Sequence, residues 1–316
     1  MITFLASPKA FTGRAAIQQT AAVRSWLAVA AGVEVILYGD SPGTAECCLD
    51  LGIRHVPDIA SNKRGIPYFC AITAHAAVHA RHDLQVYLNC DILLTPHILE
   101  AIKRVQLSNF LMIGQRIDLT DGVTVDVDSP DFVNQLNELA NSGRINLHPH
   151  NGSDYFAFRR GMWSGLPPVI VGRGGYDNAL ISFCIQHRIP IIDATLAVLA
   201  IHQFHDYGHL AGGVAEVFRG EDAKSNLEFV PQDAVPNMEN ADFILKDANL
   251  KPNRGRGDWL RSVWFRRGHE RFTRRAPRSN ISTQSSIVNG PTHHRASNAA
   301  HIHRALGKHD WRIHVW

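Results

Sequence analysis

The feature that most constrains this chain is a repeated alternation of short apolar runs with helix-forming segments, which occupies most of residues 2–195. ITFLA (2–6) reads as a strand, closed by Ser-Pro-Lys as a loop closes one. AAIQQTAAVRSWLAVAA (15–31) is rich in helix formers, spaces Ile17, Ala21, Trp26 and Val29 for one buried face, and stops at Gly32. VEVILYGD is then a nearly continuous apolar strand, the pattern of a parallel strand covered on both faces. TAECCLDLG and PYFCAITAHAAVHARH predict helices, IRHVPDI a brief strand between them, and LQVYLNCDILL a further strand. A helix near Pro96–Val105 leads to FLMIGQRIDL, read as one strand. The polar stretch Thr120–His150 reads as an insertion with a central helix at Phe132–Asn141. GSDYFAFRRGMW predicts a strand and turn, GGYDNALISFCIQHR a loop and helix, IPIIDAT a strand, and IHQFHDYGH an irregular histidine-rich segment. Such alternation implies right-handed βαβ units and an α/β fold with a mostly parallel central sheet. Ligands of such sheets sit beyond the carboxyl ends of the strands, where Ser7, Asp40 and Asp91 would gather.

With 316 residues and 45% apolar content, the chain can build a sizeable core. Charge divides it in two. Residues 1–250 hold 18 Lys and Arg against 26 Asp and Glu, whereas residues 251–316 hold 14 against 3 and seven of the eighteen histidines. The expected organisation is a folded domain over 1–250 and a basic tail over 251–316, partly helical and then disordered. Trp259, Trp264 and Phe265, interleaved with arginines, suit the tail to peripheral contact with anionic membrane, a solvated terminal helix being the plainer alternative. The acidic folded region argues against nucleic acid as a partner of the whole protein. Five cysteines without CxxC spacing or high density point to a reducing compartment, and no apolar run is long enough for a signal peptide or membrane span, so the expected location is cytoplasmic.

In YLNCDILL an apolar strand delivers Asn89 and Asp91 to its carboxyl end, one residue apart and so on the same side of an extended chain. Two oxygen-bearing groups held this way suit a hard divalent cation, although an Asp after a strand also serves as a turn former. GRGGYDN (172–178) combines three glycines, which permit close backbone approach, with Asp177 at the start of a helix, where it would equally serve as an N-cap. Asp154 in GSDYF offers another carboxylate for acceptor hydroxyls, with Tyr155 and Trp163 either a sugar platform or core. His202, His205 and His209 cluster around Asp206.

This order of residues resembles the nucleotide-sugar transferases of the GT-A fold over about residues 1–245. Asn89-Cys90-Asp91 occupies the place of the superfamily's Asp-x-Asp motif, with Asn keeping an oxygen ligand but removing a charge. The resemblance implies a divalent metal, Mn2+ or Mg2+, on Asp91, joined by a late histidine for which His205 is the choice. It places Ser7, Lys9, Asp40, Arg64 and Asn89 near the donor's base, ribose or diphosphate. It also makes Asp177 the general base on the acceptor side, as in inverting members. The expected activity is transfer of a sugar from a nucleoside diphosphate sugar, UDP-linked by preference, to a hydroxyl of a glycan or polysaccharide. Two alternatives stay open: a sugar-phosphate nucleotidyltransferase, for which SPKAFTGR offers only Gly13 with Lys9 and Arg14, and a non-catalytic nucleotide- or glycan-binding pseudo-transferase.

Overall fold

A computed structural model describes residues 1–126, 129–205, 212–246 and 249–253. The tail from residue 254, together with Asp206 and His209, therefore lies outside the described residues. The chain opens with β1 (Ile2–Ala6), α1 (Gly13–Leu27), β2 (Glu34–Tyr38), α2 (Thr44–Leu51), β3 (Arg54–Val56), α3 (Phe69–His79) and β4 (Leu84–Leu88), the β–α alternation read above. It continues through β5 (Ile92–Leu94), α4 (His97–Lys103), β6 (Leu111–Ile113), β7 (Ile117–Leu119), α5 (Phe132–Asn141) and β8 (Ile145–Leu147). Next come β9 (Tyr155–Arg159), α6 (Tyr176–Gln186), β10 (Ile191–Asp193), β11 (Ala200–His202), α7 (Gly213–Arg219), α8 (Glu221–Leu227), β12 (Phe243–Lys246) and β13 (Asn249–Pro252).

Among the described residues, the main sheet has the order β13-β12-β10-β6-β9-β4-β1-β2-β3. It is mostly parallel, with β9 antiparallel between β4 and β6, and β13 antiparallel on the edge beside β12. The period of two divides its side chains between two cores. Phe4, Val35, Leu37, Val86 and Leu88 pack with Ala22, Val23 and Trp26 of α1 on one face. Leu5, Ile36, Tyr38, Tyr87, Phe156 and Phe158 pack with Phe69 and Ile72 of α3 and Leu180 of α6 on the other. The expected helix-flanked, mostly parallel α/β architecture is what forms. No helix among the described residues is long and apolar enough to cross a membrane.

Two predicted strands are each broken in two, and the breaks create a second sheet, β5-β11-β7-β8. LQVYLNCDILL turns at Asn89–Asp91, and FLMIGQRIDL breaks at Gly114–Arg116, so β4 and β6 stay in the main sheet while β5 and β7 leave it. The small sheet is anchored on α1, where Trp26 Nε1 donates to the Ile92 carbonyl at 2.8 Å and Leu94 N donates to Ser25 Oγ at 3.1 Å.

Glu34 fastens the opposite end of the main sheet. Its buried carboxylate accepts from Thr3 Oγ1 (2.8 Å), Arg54 (2.8 Å) and the Arg81 backbone (2.6 Å). Burial pushes its pKa up, but Arg54, the Arg81 N–H, Thr3 and the Arg81 side chain outweigh burial and bring it to about 2. A depressed carboxylate contributes stability above its ordinary pKa and loses it as pH falls toward the folded value. Glu34→Gln is therefore expected to cost about 2 kcal/mol at pH 7. In urea titrations the gap from wild type should close between pH 4.5 and pH 2; a constant gap would overturn this account.

Candidate functional site

The carboxyl ends of β1, β2 and β4 meet on one edge, and β9, running the other way, brings its amino end there. Leu88 pairs with Tyr155, and Asn89 N donates to the Asp154 carbonyl at 3.0 Å. The loop after β1 is held against α1 by a reciprocal pair, Lys9 N to Gln19 Oε1 (2.8 Å) and Gln19 Nε2 to Lys9 O (3.0 Å). The segment after β11 is held by Gln18 Nε2 to Phe204 O (2.7 Å), Gln203 Nε2 to Gln18 O (2.9 Å) and Gln203 N to Asp91 O (3.1 Å). These ties set Lys9, Asp91, His202 and His205 around one point.

Asp91 Oδ2 lies 3.1 Å from His205 Nε2 and 3.3 Å from Lys9 Nζ, and Oδ1 lies 3.9 Å from His202 Nε2. The two imidazole Nε2 atoms face each other at 3.3 Å, and Lys9 Nζ is 3.3 Å from His205 Nε2. Burial raises the Asp91 pKa, but His205, Lys9 and His202 outweigh it and hold the carboxyl well below the usual range. Asp91 Oδ1 is buried and accepts no hydrogen bond among the described residues. A buried, ionised oxygen without a donor among the described residues, flanked by two imidazoles, forms a set of groups that a divalent cation satisfies, the cation taking the place of the His205 proton that faces Asp91. One ligand atom each from Asp91, His202 and His205 can be chosen so that all lie within 4.8 Å of one another. The residues present thus fit the expected metal, with both His202 and His205 in place.

Strand alternation does not hold across Asn89 and Asp91. Residues 89–91 turn, the Asn89 amide donates to Asp154 Oδ1, and Asn89 Oδ1 lies 3.5 Å from the Tyr176 hydroxyl. The buried Asp154 receives Arg116 on Oδ2, so neighbouring side chains engage both its carboxylate oxygens. Tyr155 and Trp163 are core residues, 0% and 4% exposed.

Asp177 lies in the first turn of α6 but is not its N-cap, a position held by Gly175 at φ +80°. Its Oδ2 accepts Ser153 N at 3.3 Å and its Oδ1 accepts Asn178 N at 2.9 Å. Burial raises its pKa to about 6, against those backbone donors. The nearby glycines admit protein: a Cβ on Gly174 would meet Phe218 Cα at 3.0 Å, and one on Gly175 would meet Leu227 Cδ2 at 2.9 Å. Helices α7 and α8 occupy the close approach that the sequence left open to a ligand.

Ser7 follows β1, its hydroxyl 3.8 Å from the Cβ position of Gly39, and Asp40 is exposed just beyond β2. Arg64 pairs with Glu216 and lies 3.7 Å from Asp222, within a cluster that includes Arg173 and Asn62 and makes no hydrogen bond or ion pair to the Asp91 group among the described residues.

Sequence reasoning missed Arg116, Asp118 and His148. Asp118 Oδ1 lies 2.7 Å from Arg116 Nε and 3.2 Å from His202 Nδ1, while Oδ2 lies 2.7 Å from His148 Nδ1. Burial raises the Asp118 pKa, but His148, His202 and Arg116 outweigh it and depress it strongly; burial lowers that of His202 against Asp118 and Asp91. The signal was present in QRIDL, where Arg116 and Asp118 alternate with buried Ile117 and Leu119 and need partners in a folded chain.

No model of a known protein family matches the chain, and no curated protein matches it in sequence. Among solved structures it is similar to glucosyl-3-phosphoglycerate synthase from Mycobacterium tuberculosis in complex with Mg2+ and uridine diphosphate, at 14% identity over 74% of this chain and 81% of that one, with a TM-score of 0.44. It is also similar to the mannosyltransferase PcManGT from Pyrobaculum calidifontis in complex with GDP-Man and Mn2+ (15% identity, 64% and 56% covered, TM-score 0.40). Similarity to S. aureus TarS in complex with UDP-GlcNAc covers 40% of this chain and 37% of that one, at 14% identity and a TM-score of 0.30.

Proposed function

We propose that the protein is a glycosyltransferase that takes a sugar from a nucleoside diphosphate donor, UDP-linked by preference, and passes it to a hydroxyl of a glycan or polysaccharide. The observation that carries this reading is the Asp91–His202–His205 cluster, with a buried oxygen that has no donor among the described residues, beside Lys9 at the carboxyl end of a mostly parallel sheet. A divalent cation, Mn2+ or Mg2+, supplies Lewis-acid neutralisation of a departing diphosphate when bound to such donors. Lys9, with a side chain 40% exposed, offers its ammonium to the same anion from the solvent side. We assign Ser7 and Asp40, just beyond the carboxyl ends of β1 and β2, to the nucleoside side of the donor.

Asp177 is the proposed base. As the acceptor oxygen bonds to the anomeric carbon and the carbon–diphosphate bond breaks, Asp177 takes the acceptor proton, giving inversion in a single displacement. Its pKa of about 6 suits that task, since a base works best when its pKa lies near the working pH. Arg116 and Asn89 hold Asp154, whose backbone neighbour Ser153 supports Asp177, so we assign Asp154 to shaping the acceptor side. Cytoplasmic location, with the basic tail resting on anionic lipid, completes the proposal.

Calorimetric titration with UDP, with and without Mn2+, followed by product analysis over a panel of nucleotide sugars, tests the reading. The expected result is UDP binding strengthened at least about tenfold by Mn2+ and turnover of one donor. Absence of binding to every nucleoside diphosphate would overturn it, while binding without turnover would favour the pseudo-transferase.

A further inference from the structure

An imidazole can ligate a cation only through a ring nitrogen that keeps its lone pair, and the contact made by the other nitrogen decides which one that is. At His202, Nδ1 lies 3.2 Å from Asp118 Oδ1. An ionised carboxylate only accepts, so Nδ1 carries the hydrogen. Nε2 is left on the side of the cluster, 3.3 Å from His205 Nε2 and 3.9 Å from Asp91 Oδ1.

The pairing follows from strand register. Parallel β7 and β11 set His202 beside Asp118 and Ile201 beside Ile117. Ile201 and Ile117 are 0% and 3% exposed, so a one-residue slip would expose both and separate the polar pair. Asp118 is itself held from two sides, by Arg116 Nε at 2.7 Å on the oxygen that meets His202 and by His148 Nδ1 at 2.7 Å on the other. Arg116 is braced in turn against Asp154, and Gln115 Nε2 fixes the His148 carbonyl at 2.6 Å. This arrangement leaves Asp118 one orientation, with an oxygen on His202.

We infer that Asp118 is a positioning residue that fixes His202 with its proton on Nδ1 and its Nε2 turned to Asp91, and so makes His202 a ligand of the cluster. The inference rests on the cation reading above. Carboxylate partners of ligating histidines typically change metal affinity by about 10–100-fold when removed.

Two measurements on the full chain separate this inference from its parent. The first is two-bond 1H–15N correlation of the metal-free protein, with His202 assigned by its loss in His202→Gln. The second is titration with Mn2+ alone, read by the spectrum of free Mn2+. Wild type should show a protonated Nδ1 and an unprotonated Nε2. Asp118→Ala should move the proton toward Nε2 and weaken Mn2+ binding about 10–100-fold. Asp118→Asn, which keeps shape and one acceptor, should fall between, and decides the matter if the alanine variant fails to fold. His148→Ala removes one of the two contacts that orient Asp118 but leaves Arg116 and the oxygen on His202 in place, so it should move both readouts less than Asp118→Ala does. An Nε2-protonated His202 in wild type, a tautomer indifferent to Asp118, or an equal loss in His148→Ala would each overturn the inference. A wild type that binds no Mn2+ would sink the cation reading, with Asp118's control of the tautomer still decided by the spectra.

Discussion

Asp177→Asn is expected to lower sugar transfer about 10²–10⁴-fold while making the folded protein more stable at pH 7. The two effects share one cause. Burial raises the carboxyl from its ordinary 3.8 to about 6, with the N–H groups of Asn178 and Ser153 pulling the other way. A carboxyl with a raised folded pKa adds stability fully below its unfolded value and loses that contribution as pH climbs through the folded one. At pH 7 the ionised group therefore costs roughly 3 kcal/mol, an upper figure that local relaxation reduces. Asparagine removes that charge but keeps an acceptor for only one of the two backbone N–H groups, which offsets part of the gain, so melting should shift upward by about 2–5 °C. In wild type, kcat/KM should rise with pH up to about 6 and then level, because only the carboxylate can take the proton. A flat profile from pH 5 to 7, or an active Asp177→Asn, would remove Asp177 from the base position.

Periodicity revealed the β1–β4 half of the sheet because each strand there is a self-contained apolar run followed by its helix. Ile2–Ala6 and the helix Phe132–Asn141 have the bounds that the pattern gave. It failed at Asn89–Asp91 and Gly114–Arg116 for a common reason: an apolar run carries no mark of leaving one sheet for another, and both breaks are filled by residues that alternation also tolerates. The failure fell on the site. Asp91 was legible as a carboxylate after a strand, and the late histidines as a cluster. The link from His202 to Asp118 is a long-range register contact between β11 and β7, which no local spacing encodes. The partners of Arg64 were illegible for the converse reason, since a loop arginine gives no sign of the acidic residues, Glu216 and Asp222, that hold it.

Asp91→Ala should abolish Mn2+ binding in the millimolar range and lower transfer about 10²–10³-fold or more, with a stability loss of about 1–3 kcal/mol. The stability loss is modest because the Lys9 partner is 40% exposed, and it is real because the deletion leaves Lys9, His202 and His205 facing one another without their shared anion. A folded pKa held well below the ordinary carboxyl value means that Asp91 contributes stability above pH 3.8 and loses it as pH falls, so Asp91→Asn should flatten the acid limb of the stability curve. Loss of activity alone would not separate cation binding from generic damage, and Lys9→Met makes the separation. The Lys9 ammonium sits 3.3 Å from Asp91 Oδ2 and competes there with any incoming cation. Without it Mn2+ should bind more tightly, whereas UDP, deprived of a positive partner, should bind more weakly in the absence of metal. Affinities moving in opposite directions cannot arise from a destabilised fold, which would weaken both. If Lys9→Met left Mn2+ binding unchanged or weaker, Asp91 would be the partner of an ammonium alone, and diphosphate neutralisation would fall to Lys9.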